Sequence, residues 1–301
     1  MAILTVGARQ RFDTLAAAIT ASRDGDVIEI LAGTYRDDFA TIRAAINVRA
    51  VGGLVRLVAE SIPSNGKAIL VTQGNITLTG LAFSGARVRD RNGAGIRYEG
   101  GDLTLLDCLF HENENGLLGG GWPEGTVTVR RCVFGANGTG DGRTHGLYVG
   151  RIKRLVIEDS WFHNTRVGHH IKSRAYESRI VNNLIEDQEG TASYSIDLPT
   201  GGVVLVADNV IQQGQLSQNP AIVHFGGEGL PHETSSLLIH RNVVINLLDS
   251  SGTRLLLNQT GFTATISDNK VFGLSTSQIA SGPAEVSNTI FLPPPLRTAE
   301  P

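Results

Sequence analysis

The sequence predicts an all-β fold, a solenoid whose short parallel strands stack as a single-stranded β-helix of roughly ten coils. Three observations predict it: a strand-like segment that recurs along the chain, a column of asparagines inside that segment, and an excess of glycine. Glycine accounts for 36 of 301 residues, above the usual ~7 %, while proline is only 10. That balance fits a chain with many tight turns and excludes collagen-like or low-complexity disorder.

The recurring segment reads ITLTGLAF to Phe83, LTLLDCLF to Phe110, VTVRRCVF to Phe134, LVIEDSWF to Phe162, SRIVNNLI to Ile185, VLVADNVI to Ile211, LLIHRNVV to Val244, ATISDNKV to Val271 and AEVSNTIF to Phe291. The copies lie about 26 residues apart, a spacing that marks a repeat architecture. Each ends on a large apolar residue, with an aliphatic five positions earlier (Leu78, Leu105, Val129, Ile157, Ile180, Val206, Ile239, Ile266, Val286). Apolar residues alternate with a period of two, which is the strand pattern. Two positions before the last residue stand Cys108, Cys132, Ser160, Asn183, Asn209, Asn242 and Asn269. Asparagines at one position in successive coils can bond one another at strand spacing, which satisfies their amides inside the solenoid. In this column Cys108 and Cys132 are expected to be stacked free thiols. A propeller needs longer repeats, and the leucine-rich spacing is absent.

The ends differ from the middle. Residues 12–24 predict a short helix with Leu15, Ala18 and Ile19 on its apolar face, placed to cover the open core of the first coil. Residues 292–301, rich in proline, are expected to leave the strand ladder, so the whole of 1–301 reads as one β-helix domain. Formal net charge is −3, which gives no basic footprint for nucleic acid. No apolar run is long enough to span a bilayer, and Met1–Gly7 lacks the pattern of a secretory signal. No oligomerisation signal is read, and a monomer is expected.

These features resemble the right-handed parallel β-helix superfamily, the pectate-lyase-like fold, over nearly the whole chain. The opening Gly25-Asp-Val-Ile-Glu-Ile-Leu-Ala-Gly-Thr-Tyr35 is similar to that superfamily's first strand after its capping helix. The segments His145-Gly-Leu-Tyr-Val-Gly150, Gly168-His-His-Ile-Lys-Ser-Arg174 and Ser195-Ile-Asp-Leu-Pro-Thr-Gly-Gly202 resemble those of a group of bacterial β-helix proteins. The resemblance implies a right-handed coil and a place among proteins that act on polysaccharides. The Asp-rich calcium signature and the R-x-P-x-x-R stretch of pectate lyases, and the D-P-H motif of mannuronan epimerases, are absent.

A second strand precedes each repeated segment. Aligned on Ile96, Leu117, Leu147, Ile171, Ile196 and Ile222 as inward residues, alternation turns their neighbours outward. The column after them is Arg97, Leu118, Tyr148, Lys172, Asp197, Val223. The column before them is Gly95, Gly116, Gly146, His170, Ser195, Ala221, read as an open floor beside the ionisable row. Arg174 lies one outward step beyond Lys172, and His145 and His169 stand at the strand starts. The candidate catalytic residues are therefore Tyr148, His170, Lys172 and Arg174, with Arg97, His145, His169 and Asp197 as substrate contacts. The loops 135–144, 186–193, 212–219 and 226–235 are expected to wall the groove.

This residue set suits a polymer with one carboxylate per sugar. Lys172 and Arg174 can pair with a uronate carboxylate, which acidifies the proton at C5. Tyr148 and His170 are the types that move protons. The expected function is cleavage of an acidic, uronate-containing polysaccharide by β-elimination. The alternatives are C5 epimerisation of the same substrates and carbohydrate binding without chemistry. Hydrolysis is disfavoured because only Asp197 is a well-placed carboxylate where two are needed. No metal-ligand set is read; calcium, held through Asp197, is the one cofactor left open. An extracellular site of action follows from the substrate class alone.

Overall fold

The computed structural model describes residues 1–229, 231–232 and 234–293. The chain winds as a right-handed parallel β-solenoid of about 11 turns, with one short helix near the N-terminus. Each coil runs through three faces, as in Leu103–Leu106 on the first, Leu109–His111 on the second and Asn115–Gly119 on the third. Every pairing is parallel and joins one coil to the next, Leu105↔Val129 and Phe110↔Phe134 among them. The third face is a separate ten-stranded ladder.

The repeated segment contains the bend between the first two faces. Its turning residue takes a left-handed conformation: Asp107, Asp159, Asn182, Asp208 and Asp268 have φ of 53–57° and Arg131 and Arg241 have 51° and 53°. Asp and Asn tolerate this region because their short side chains bond locally. Gly80 turns the bend in the first copy, with φ of 72°, and Asp, Asn or Arg turns it in the later ones.

The next residue points inward and forms the asparagine ladder. Asn183 Nδ2 donates to Asn209 Oδ1, Asn209 Nδ2 to Asn242 Oδ1, and Asn242 Nδ2 to Asn269 Oδ1, each at 3.0 Å. The same Oδ1 atoms accept the backbone N–H of the preceding ladder residue, as in Asn183 N to Asn209 Oδ1 at 2.9 Å. Ser160, Cys132 and Cys108 extend the column, with Cys108 N donating to Cys132 Sγ at 3.4 Å, and both thiols are free and buried. Beside this column Phe83, Phe110, Phe134 and Phe162 stack nearly parallel with centroids 5.0, 4.5 and 4.7 Å apart, offset-stack distances that add to the area they bury.

The helix is Leu15–Ala21, shorter than 12–24. Leu15 and Ala18 are fully buried and Ile19 packs partly against the core. Asp38 satisfies its first turn, accepting from Leu15 N at 2.6 Å and Ala16 N at 2.9 Å; such N–H groups lack partners within a helix. At the other end Leu292 still belongs to a strand and pairs with Phe272, so the ladder runs past the expected start of the tail; 294–301 lie outside the described residues. Among the described residues no helix is long and apolar enough to cross a membrane.

Candidate active site

The third face brings Tyr148, Lys172 and Asp197 into one outward row, paired in register on three consecutive strands. Arg97 and Leu118 continue the row upstream. Downstream the register slips by one: Ile196 pairs with Val223, and Asp197 with His224. The next member of the row is thus His224, not Val223. Ile222 and Val223 are both buried, so an alignment on Ile222 places the histidine out of the row.

Asp197 is the hub. It is 2 % exposed, and its Oδ2 faces Lys172 Nζ at 2.8 Å and His169 Nε2 at 3.2 Å. Its Oδ1 lies 2.7 Å from His224 Nδ1. Burial works to raise this carboxyl, but the His224 hydrogen bond and the Lys172 charge outweigh it and hold the group far below the usual carboxylate range. His224 Nε2 lies 2.9 Å from Gln259 Oε1. Both its ring nitrogens therefore face acceptor oxygens, which calls for both protons; burial opposes this, and the two bonds raise its pKa above the usual histidine value.

Glu228, on the loop after the strand Ala221–Phe225, crosses over the row. Its Oε1 takes Lys172 Nζ at 3.2 Å, and its Oε2 takes Arg174 Nε at 3.1 Å. Arg174 also donates to the Tyr148 hydroxyl, with its guanidinium 5.1 Å from that ring's centroid. Burial would lower Arg174, but the bond to Glu228 raises it. Two of the three Lys172 ammonium donors are thus committed to carboxylates, leaving one for a ligand.

His145 and His169 form a rim beside the row. Their rings stack 4.8 Å apart, Tyr194 continues the stack at 5.2 Å, and His224 follows at 4.6 Å. The His145 Nδ1 accepts His169 N–H at 3.1 Å, and His169 Nδ1 accepts Tyr194 N–H at 3.2 Å. Those bonds place each ring's proton on Nε2. Burial keeps both rings neutral, lowering His169 to about 4 and His145 well below its usual value. His145 is therefore a neutral N–H donor and not a base.

His170 does not join the row. It precedes the strand Ile171–Ser173, at the corner where alternation ends, and is fully buried. Its Nδ1 meets Thr165 Oγ1 at 2.8 Å, and burial lowers its pKa to about 3. A ring sealed from the groove cannot exchange protons with a substrate there, so His170 leaves the candidate catalytic set. The glycine floor fails for the same reason. A Cβ on Gly116 would stand 2.7 Å from Phe134 Cδ1, one on Gly95 2.9 Å from Phe110 Cδ1, and one on Gly146 2.6 Å from His170 O. These glycines clear space for the phenylalanine stack and for close coil contact, not for a ligand.

The groove is instead an open depression of about 560 Å³ over the upstream part of the row, from Arg97 to Lys172, with His145, Arg174 and two loops at its sides; the loops 186–193 and 212–219 do not line it. Asp141, Gly142 and Arg143 come from the expected 135–144 loop, and Asp90, Arg91 and Asn92 from the turn before Ala94–Tyr98. Its floor is apolar, with Leu118 packed on Val71, Ala94 and the Tyr148 ring. Both Asp197 carboxylate oxygens already face N–H donors, Lys172 on one and His224 on the other, so neither is free for a calcium ion in this arrangement.

Fold and groove define a class: a right-handed parallel β-helix with a charged cleft on its third face. A family model described as "Right handed beta helix region" matches residues 43–185. Among solved structures, an alginate lyase from Paenibacillus sp. str. FPU-7 is similar with a TM-score of 0.59 and 14 % identity, covering 97 % of this chain and 98 % of that one. A pectate lyase, Pel9A, is similar with a TM-score of 0.58 and 15 % identity, over 96 % and 78 %. At such identity the likeness to these structures is one of fold, the right-handed parallel β-helix. No sequence match among curated proteins was found.

Proposed function

We propose that the third-face groove binds a uronate-containing polysaccharide and cleaves it by β-elimination. The observation that carries this reading is the Tyr148–Lys172 pair, with Lys172 held by Asp197 and Glu228 and the Tyr148 hydroxyl held by Arg174. The free Lys172 donor and the neutral His145 N–H meet the sugar carboxylate and withdraw charge from it, which acidifies the C5 proton. Tyr148 Oη, positioned by its bond from the Arg174 guanidinium, acts as the base that takes that proton. The C4–C5 double bond forms as the C4–O4 bond breaks, and the tyrosine returns the proton to O4. No water is consumed and no oxidant is needed. Names of two similar folds, an alginate lyase and a pectate lyase, agree in substrate class.

The test is incubation with alginate, pectate and glycosaminoglycans, with and without calcium, following absorbance of the unsaturated product. The expected result is turnover on at least one polymer, falling at least ~100-fold in Tyr148→Phe and Lys172→Ala. Absence of product on every polymer overturns the lyase reading. A change in uronate composition without cleavage would assign the same groove to C5 epimerisation, which shares the first proton transfer.

A further inference from the structure

The same groove holds a second polar cluster that the elimination step does not use. Arg97 stands two strands upstream of Tyr148 in the row, separated from it by Leu118, a distance of roughly 10 Å at ordinary strand spacing. Its Nε is buried without a hydrogen-bond partner among the described residues. The nearest carboxylate, Glu99, is 3.8 Å from that Nε and already bonds Lys67 and Gln73. On the neighbouring strand Asn115, paired with Ala94, is 1 % exposed and lines the same groove. Its Oδ1 accepts the backbone N–H of His145 at 2.9 Å, while its Nδ2 has no partner among the described residues. Native proteins rarely leave buried donors unmet, and such cases call for an absent ligand or water. Two orphan donors beside an apolar platform, in a groove lined by five basic and two acidic side chains, describe a seat for an anion carried on a ring.

We infer that Arg97 and Asn115 form an anion-binding subsite that takes the carboxylate of a second acidic sugar, upstream of the one at Tyr148. This rests on the acidic-polymer reading of the groove, not on the reaction performed there. The polymer would lie along the solenoid axis, with an apolar ring face on Leu118 and successive carboxylates alternating between Lys172 and Arg97. Arg91 and Arg143, partly balanced by Asp90 and Asp141, raise the local anion concentration without making the seat.

The subsite is tested by binding. Calorimetric titrations with uronate disaccharides and tetrasaccharides at pH 7 are run on the full chain and on Arg97→Gln, each variant checked by its thermal melt. The full chain is expected to bind the tetrasaccharide more tightly than the disaccharide. Arg97→Gln is expected to weaken the tetrasaccharide about tenfold or more, the size of a lost charge-assisted bond, and to leave the disaccharide within about twofold. Arg97→Lys, which keeps the charge but not the fork, should recover part of the loss. Equal tetrasaccharide affinity in Arg97→Gln and the full chain overturns the subsite while leaving cleavage untouched. Binding with the expected length dependence but without turnover keeps the subsite and removes the lyase. No binding of either oligosaccharide overturns the subsite outright.

Discussion

Replacing Asp197 by Asn removes the charge at the centre of the site while keeping its shape. The carboxylate meets Lys172 at 2.8 Å, His169 at 3.2 Å and His224 at 2.7 Å in a nearly water-free position. An asparagine Oδ1 can still accept from His224, but its Nδ2 then points donor against donor at Lys172 and His169. Removing one partner of a buried ion pair costs about 3–5 kcal/mol, so we expect Asp197→Asn to lose about 3 kcal/mol and Asp197→Ala the upper part of that range. The loss depends on pH. Asp197 has a lowered folded pKa, so its contribution is present above about 3.8 and vanishes as pH falls through the folded value. The raised His224 pKa adds stability below about 6.5 that is lost as pH rises through the folded value. The difference between variant and parent is therefore largest from about pH 4 to 6.5. Urea unfolding across pH measures it, and NMR titration of His224 supplies a readout that general destabilisation does not move. Without the carboxylate, burial governs His224, and its pKa drops below that of the parent. A variant as stable as the parent, with His224 titrating unchanged, would refute the hub.

Other outcomes follow from the same geometry. Asn209→Ala takes the Oδ1 acceptor from Asn183 N–H and Asn183 Nδ2 and the Nδ2 donor from the Ile180 carbonyl, while Asn242 Oδ1 keeps the backbone N–H of residue 209, and we expect a loss of about 2–3 kcal/mol in urea unfolding. His169 and His170 are neutral in the fold, with pKa values lowered to about 4 and about 3. Their contribution is full above about pH 6.5 and falls as pH drops toward those values, by a few kcal/mol for each ring. Thermal melts should therefore decline between pH 6.5 and 4, and His170→Gln should flatten that decline.

Much of this was legible from side-chain spacing. The phenylalanine stack and the ladder from Asn183 to Asn269 are inward positions repeated coil after coil, and a buried position repeated that often leaves a clear pattern. Tyr148, Lys172 and Asp197 were legible because strands alternate and their inward neighbours, Leu147, Ile171 and Ile196, are unambiguous. His170 was misplaced because alternation holds only inside the strand, and the corner before Ile171 turns that ring inward. His224 was missed because Ile222 and Val223 are equally apolar, and only pairing with Ile196 decides which is in register. The presence of two adjacent buried aliphatics could have flagged the slip. Glu228 left no signal, since its loop has no periodicity and its role arises from chain that folds back over the row. Glycine kept one meaning and lost another: more than half of the glycines turn the chain with positive φ, whereas Gly95, Gly116 and Gly146 serve close packing on the inside and not an open floor.

The position of a bound sugar is the most direct measurement. A crystal structure of Lys172→Ala soaked with a uronate tetrasaccharide would show it. We expect the chain along the third face, one ring with C5 facing Tyr148 Oη and another with its carboxylate at Arg97 and Asn115. An oligosaccharide bound on another face, or one whose C5 points away from Tyr148, would contradict a role for this groove in cleavage.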